Sequence, residues 1–208
     1  MTIDTKDLLN SIMESLSRIE NIRPETLPDI NLYMDQVTTF MDTQLHATKR
    51  HEDDKILTKT MINNYAKNNL LPPPEKKKYS KEHLLTLIFI YYFKNVLSIN
   101  DIQSILNPLT DRYFGKNGTP SLEEIYTIVF QLEGQQVERL KKTIQEEFIV
   151  SESALSDLEN LDENETDFLQ KFIFICLLNF DVYVKKLLIE KIIDSMNKPD
   201  SPKGKRKR

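Results

Sequence analysis

Residues 70–80, LLPPPEKKKYS, constrain this chain more than any other stretch. Three consecutive prolines lack backbone donors and lock φ, so no helix crosses them, and the residue before each is pushed towards extended backbone. The chain on either side must therefore form separate helices, joined by an extended turn that ends in three lysines and a tyrosine. Elsewhere glycine is scarce, with 4 in 208 residues, which leaves few places for tight hairpins or phosphate-cradling loops. An all-α protein is expected, because no period-two alternation is long enough for a convincing strand. No internal repeat is visible.

Helical spacing and capping residues divide the chain. Leu8, Ile12, Leu16 and Ile19 mark a first amphipathic helix within residues 1–28, stopped by Pro24 and Pro28. A second helix is expected from Asp29 to about Gln44, with Tyr33, Val37, Phe40 and Met41 on one side, followed by a polar loop from His46 to Lys55. Thr58 can cap a short helix reaching Asn68, and Asn69 suits the left-handed turn that ends it. Ser80 caps a helix with Leu84, Leu87, Ile88 and Tyr91 on its inner side, and Ser98 with Asp101 opens another that should end before Pro108. These helices make up an expected domain of residues 29–107.

The Pro- and Gly-containing stretch from Asn107 to Pro120 reads as a domain boundary. Beyond it, Ser121 and Glu124 form a capping box for a long helix from Leu122 to Phe148, with a kink or break possible beside Gly134. The acidic stretch from Ser151 to Asp167 is either a short helix or a linker. Asn164 with Asp167 then starts a strongly apolar helix reaching about Met196. It carries more apolar side chains, among them Phe168, Phe172, Phe180 and Leu187, than one packing face normally uses. They must be covered by the rest of the same domain, 121–197, or by a second copy of the chain, and self-association is the reading adopted. Residues 198–208 form an expected disordered basic tail.

Charge is uneven. The chain carries 28 basic and 32 acidic side chains, but residues 44–83 hold 9 basic and 5 acidic, net +4, whereas the flanking regions are acidic. An anionic partner would dock on that middle region, since phosphate neutralisation depends on local charge. At about 100° per residue the helix after Thr58 splits into two faces. Lys59, Thr60, Asn63, Asn64 and Lys67 fill one arc, and Met61, Ile62, Tyr65 and Ala66 the other. Asn is a weak helix former, so two adjacent Asn residues are not the usual choice for a merely solvated surface. Asn can bond adenine in the major groove, and Lys and Thr reach phosphates and base edges. Lys76, Lys77 and Lys78 could add phosphate contacts or serve only solubility.

The order of these elements resembles the mercury-resistance-regulator (MerR) family of winged helix-turn-helix regulators. The residues Tyr65, Leu70, Leu71, Pro72, Tyr79, Ser80, Leu84, Leu87, Ser98 and Ile102 fall where that family's pattern puts them. More closely, LTKTMINNYAKNNLLPPPEKKKYSKEH is similar to a bacterial domain-of-unknown-function family regarded as regulator-like. The chain departs from the regulator pattern at Asn63, where arginine is common, and at Asn69, where glycine is common. Its wing is also shorter, and the loop between Phe40 and Thr58 longer. The resemblance implies a MerR-like winged helix-turn-helix followed by a C-terminal helical domain.

Enzyme chemistry finds little footing. His46, His51 and His83 have no zinc-motif spacing and read as surface residues, so no metal or cofactor is expected. Cys176, within FIFICLL, reads as a buried structural thiol. A lone cysteine fits a reducing cytoplasm, and neither a secretory signal nor a membrane span is expected. The function expected is sequence-specific binding of double-stranded DNA by a homodimeric transcriptional regulator with an unknown effector. The alternative is a non-enzymatic adaptor whose relic helix-turn-helix grips a protein.

Overall fold

The computed structural model describes residues 5–17, 22–158 and 161–197. The chain is predominantly helical: α1 (Thr5–Ser17), β1 (Leu32–Tyr33), α2 (Met34–Gln44), α3 (Lys59–Lys67), β2 (Lys78–Tyr79), α4 (Lys81–Phe93), α5 (Ile99–Tyr113), α6 (Leu122–Ser153) and α7 (Glu163–Met196). Single 3-10 turns lie at Pro24–Thr26 and His46–Thr48.

At the centre is α4, apolar on every side. Its residues from His83 to Tyr91 are all buried, Leu84, Leu85, Leu87, Ile88 and Ile90 completely. A helix without a polar face has to be surrounded, and burying each large aliphatic side chain contributes about 1.5–3 kcal/mol. The strand β2 and the helices α5 and α6 pack on it. The same buried cluster takes in Val37 and Met41 of α2, Ile62 and Tyr65 of α3, Ile102 and Leu106 of α5, Leu122 and Tyr126 of α6, and Ile193 of α7. The hydroxyl of Tyr126 donates to the carbonyl of Ile22, which ties the segment after α1 to α6.

Thr58, Ser80, Ser98 and Ser121 stand at helix starts as their sequence context predicts. Several boundaries differ. Helix α2 begins at Met34 rather than Asp29, because Leu32 and Tyr33 pair antiparallel with Tyr79 and Lys78. The backbone amide of Tyr33 then donates to the Gln36 side chain at 2.8 Å, closing the start of the helix. Two strands of two residues each thus exist where none was expected, too short to show any alternation. Leu32 is buried and Tyr33 exposed, so Tyr33 does not share the inner face of Val37 and Met41.

Helix α5 does not stop before Pro108 but runs through it to Tyr113. Proline inside a helix costs about 3 kcal/mol, yet Leu109 and Tyr113 continue the stripe of Ile102 and Leu106 into the core, and that packing offsets the cost. Helix α6 is one unbroken helix of 32 residues, and Gly134 faces open space. Among the described residues the acidic stretch divides between the end of α6, the segment beyond it and the first turns of α7, which hold Glu163, Glu165 and Asp167. Asp162, not Asn164, caps α7, accepting from the Glu165 amide at 2.8 Å while the Glu165 carboxylate accepts from the Asp162 amide. Cys176 is exposed rather than buried, since among the described residues nothing packs over the face of α7 it occupies. Ile19 of the expected first helix and the tail 198–208 lie outside the described residues.

His83 is also not a surface residue; it is 4% exposed. Its Nδ1 accepts from the Ser80 amide at 2.9 Å, serving as the third-position acceptor of a capping box, and its ring meets Tyr79 and Phe114 edge-on. Among the described residues Nε2 has no hydrogen-bond partner. Burial holds the pKa below the ordinary 6.5, against the nearby Pro73 and Pro72 carbonyls, which favour the charged ring. The unfolded chain therefore binds a proton below about pH 6.5 that the folded chain resists, so this contribution to stability is complete above that pH and is lost as pH falls. Urea denaturation between pH 7 and pH 5 should show the loss, at up to about 1.4 kcal/mol per pH unit from this group. The variant His83→Gln, which keeps an acceptor for the Ser80 amide, should flatten it. An undiminished slope would place the titration elsewhere.

Candidate nucleic-acid interface

The two faces predicted for α3 are present. Thr58 caps the helix, its side-chain oxygen accepting from the Met61 amide at 3.2 Å. Ile62 and Tyr65 are buried against the core, and α3 packs on α2. Lys59, Thr60, Asn63, Asn64 and Lys67 are all exposed on the opposite side. The helix is stopped as its sequence implies, with Asn69 in the left-handed region at φ 54. The amides of Leu70 and Leu71 then both donate to the Tyr65 carbonyl, at 2.8 and 3.2 Å, and both leucines are buried. The Gln103 side chain of α5 donates to the Asn68 carbonyl, so the end of α3 is held from two directions.

Beyond the prolines, residues 75–78 form a tight hairpin. The Lys78 amide donates to the Glu75 carbonyl at 2.9 Å, and the two central residues, Lys76 and Lys77, have φ of 49 and 65. Two left-handed residues in succession make the turn type for which Asn-Gly is the usual sequence. A side chain with a β-carbon there costs about 1–2 kcal/mol per residue. The cost is borne because the hairpin is anchored at its base, where β2 pairs with β1 and Tyr79 enters the core. Lys76 and Lys77 are exposed at its tip, while Lys78 is half-buried with its ammonium 5.2 Å from the centre of the Tyr33 ring.

Helix α2 packs against α3, β1 and β2, so a single element carries both the polar helix and the lysine hairpin. The charges are not equivalent. Lys59 forms an ion pair with Asp35 of α2, which offsets part of its charge. Among the described residues Lys67, Lys76, Lys77 and Lys78 have no acidic partner. The loop preceding α3 is itself folded. The Asp54 carboxylate accepts from the Arg50 and His51 amides at 3.1 and 3.0 Å, and these bonds, that from His51 foremost, hold its pKa low.

The residue missed by sequence reasoning is Tyr33. An exposed ring under Lys78 offers both an apolar face and a hydroxyl beside the hairpin, but its position depends on a strand pairing between residues some 45 apart in the chain, as the Tyr33–Lys78 pair shows. No periodicity could signal it. Among the described residues no group of His, Cys, Asp and Glu could hold a metal ion, and no helix is long and apolar enough to cross a membrane. The arrangement can neutralise phosphates at the hairpin and offer amide and hydroxyl groups to base edges from α3.

No curated protein and no solved structure matches the chain significantly. One family model, described as a domain of unknown function (DUF1836), matches residues 22–129. Its span includes β1, α2, α3, the lysine hairpin, α4, α5 and the first turns of α6. This is more than half of the 208 residues, and the chain belongs to that family.

Proposed function

We propose that this chain is a sequence-specific DNA-binding transcriptional regulator, built on a MerR-like winged helix-turn-helix and acting as a homodimer in the cytoplasm. In this reading α2 and α3 are the helix-turn-helix, α3 is the recognition helix, and the hairpin 75–78 is the wing. One observation carries it: two lysines occupy left-handed positions at the tip of a hairpin where glycine or asparagine would cost less. Strain of this kind persists where the side chain itself is needed, and the adjacent exposed face of α3 consists of donors suited to DNA. A helix of 9 residues reads few base pairs, so two-fold pairing on a symmetric site is the ordinary remedy.

A second reading is favoured by the Lys59–Asp35 ion pair, which spends a cation of the recognition face within the protein. It is the non-enzymatic adaptor whose α3 face meets a protein. Selection of bound fragments from a random DNA pool separates the two. Enrichment of a motif supports the regulator, and no affinity for any duplex at low salt leaves the adaptor.

Three sets of substitutions refine the test on an enriched site. Replacing Lys76, Lys77 and Lys78 with Ala should weaken binding to all sequences and reduce the slope of log affinity against log salt by about 2–3. Lys77→Gly relieves the left-handed position and should raise stability by about 1 kcal/mol while lowering DNA affinity, a split that a purely structural lysine would not produce. Asn63→Ala or Asn64→Ala should cost about 1–3 kcal/mol at the preferred site and little on random DNA, measured by fluorescence anisotropy. Equal losses on both would mean that the amides only hold the backbone.

A further inference from the structure

Helix α7 is out of keeping with the rest of the fold. One side of its first half lies on α6, where Phe174 meets Phe148 edge-on with ring centres 5.5 Å apart. Towards its end only Ile193 enters the core. The side turned away from Phe174 carries Phe168, Phe172, Ile175, Phe180, Tyr183 and Leu187, all exposed, from 38% at Leu187 to 65% at Phe168 and Phe180. At 100° and 1.5 Å per residue they lie within an arc of about 140° and form a stripe roughly 28 Å long. At these exposures the six side chains present roughly 700 Å², since a large aromatic alone covers about 150–250 Å². A monomer's largest apolar patch is about 300–600 Å², and a stable complex needs about 800 Å² from each partner.

We infer that this stripe is covered by the same stripe of a second copy, with the two α7 helices antiparallel. Charge selects the orientation. The start of α7 carries Glu163, Glu165 and Asp167, whereas residues 185–194 carry Lys185, Lys186 and Lys191 against Glu190 and Asp194, with Lys186 paired to Glu190, so that end is only weakly basic. A two-fold axis crossing the stripe near its midpoint, between Cys176 and Asn179, brings the acidic end of each α7 alongside the lysines of the other. Parallel helices would set the two acidic ends side by side. The stripe's area lies near what each partner of a standard-sized interface contributes, and a two-fold pairing closes on itself. This pairing deepens the homodimer reading but does not need DNA, so its test is made without DNA and its failure would leave the α3 and hairpin results to stand or fall on their own.

The full-length protein should sediment as a dimer at micromolar concentration. Phe172→Glu with Tyr183→Glu should give a monomer of unchanged helical circular dichroism, because both side chains are exposed in the single chain. Lys191→Glu, which touches no packing, should weaken association at least several-fold at low salt and less at high salt. On the unaltered chain, a short bismaleimide should join two copies through Cys176, which sits beside the proposed axis. A monomeric full-length protein, a dimer indifferent to the two glutamates, or no covalent dimer from the cross-linker would overturn the pairing. A dimer whose affinity ignores Lys191→Glu would overturn the antiparallel orientation.

Discussion

The burial of α4 is the interaction on which the rest of the molecule depends. Between Leu84 and Tyr91 no position faces water, and a helix with no polar side is stable only inside a shell of other elements. Each neighbour supplies part of that shell. Tyr79 comes from β2, Ile102 and Leu106 from α5, and Tyr126 from α6, its ring edge-on to Phe89 with centres 5.6 Å apart. Leu70 and Leu71 close the bottom of the same cluster. The extended turn through the prolines is therefore not a free linker, for it is clamped between the Tyr65 carbonyl at one end and the β1–β2 pairing at the other.

That clamp gives the candidate interface its rigidity. The polar side chains of α3 and the lysines of the hairpin sit on elements anchored in the core by Ile62, Tyr65 and Tyr79, so their positions are set by packing and not by one another. The strained backbone of Lys76 and Lys77 is stable in this setting because the hairpin's base is held by two strand pairings and by the buried ring of Tyr79. Lys78 plays a different part from its two neighbours. It lies over Tyr33 and links the hairpin to the start of α2.

The two ends of the molecule obey different rules. Around α4 nearly all large apolar side chains are inside, as expected of a core that folds within one chain. Along α7 most are outside, and they lie on a helix that is well formed, with a complete capping box at Asp162 and Glu165. That contrast is the observation on which the proposed pairing of two copies rests.

Local signals in the sequence determined a great deal. The helix starts at Thr58, Ser80, Ser98 and Ser121, the left-handed Asn69, the break at the prolines and the two faces of α3 all follow from side chains that bond their own backbone or repeat at 3.6 residues. The excess of apolar groups on α7 was equally legible. Tertiary structure alone decided the rest. The pairing of Leu32 and Tyr33 with the hairpin, the passage of α5 through Pro108, and the burial of His83 each rest on contacts between distant segments or on core packing that outweighs a local preference. Propensity is worth tenths of a kcal/mol to about 3 kcal/mol per residue, and a few buried side chains exceed it. The exposure of Cys176 reversed the sequence expectation for a related reason: hydrophobic neighbours along a helix do not show that the rest of the chain packs over that face.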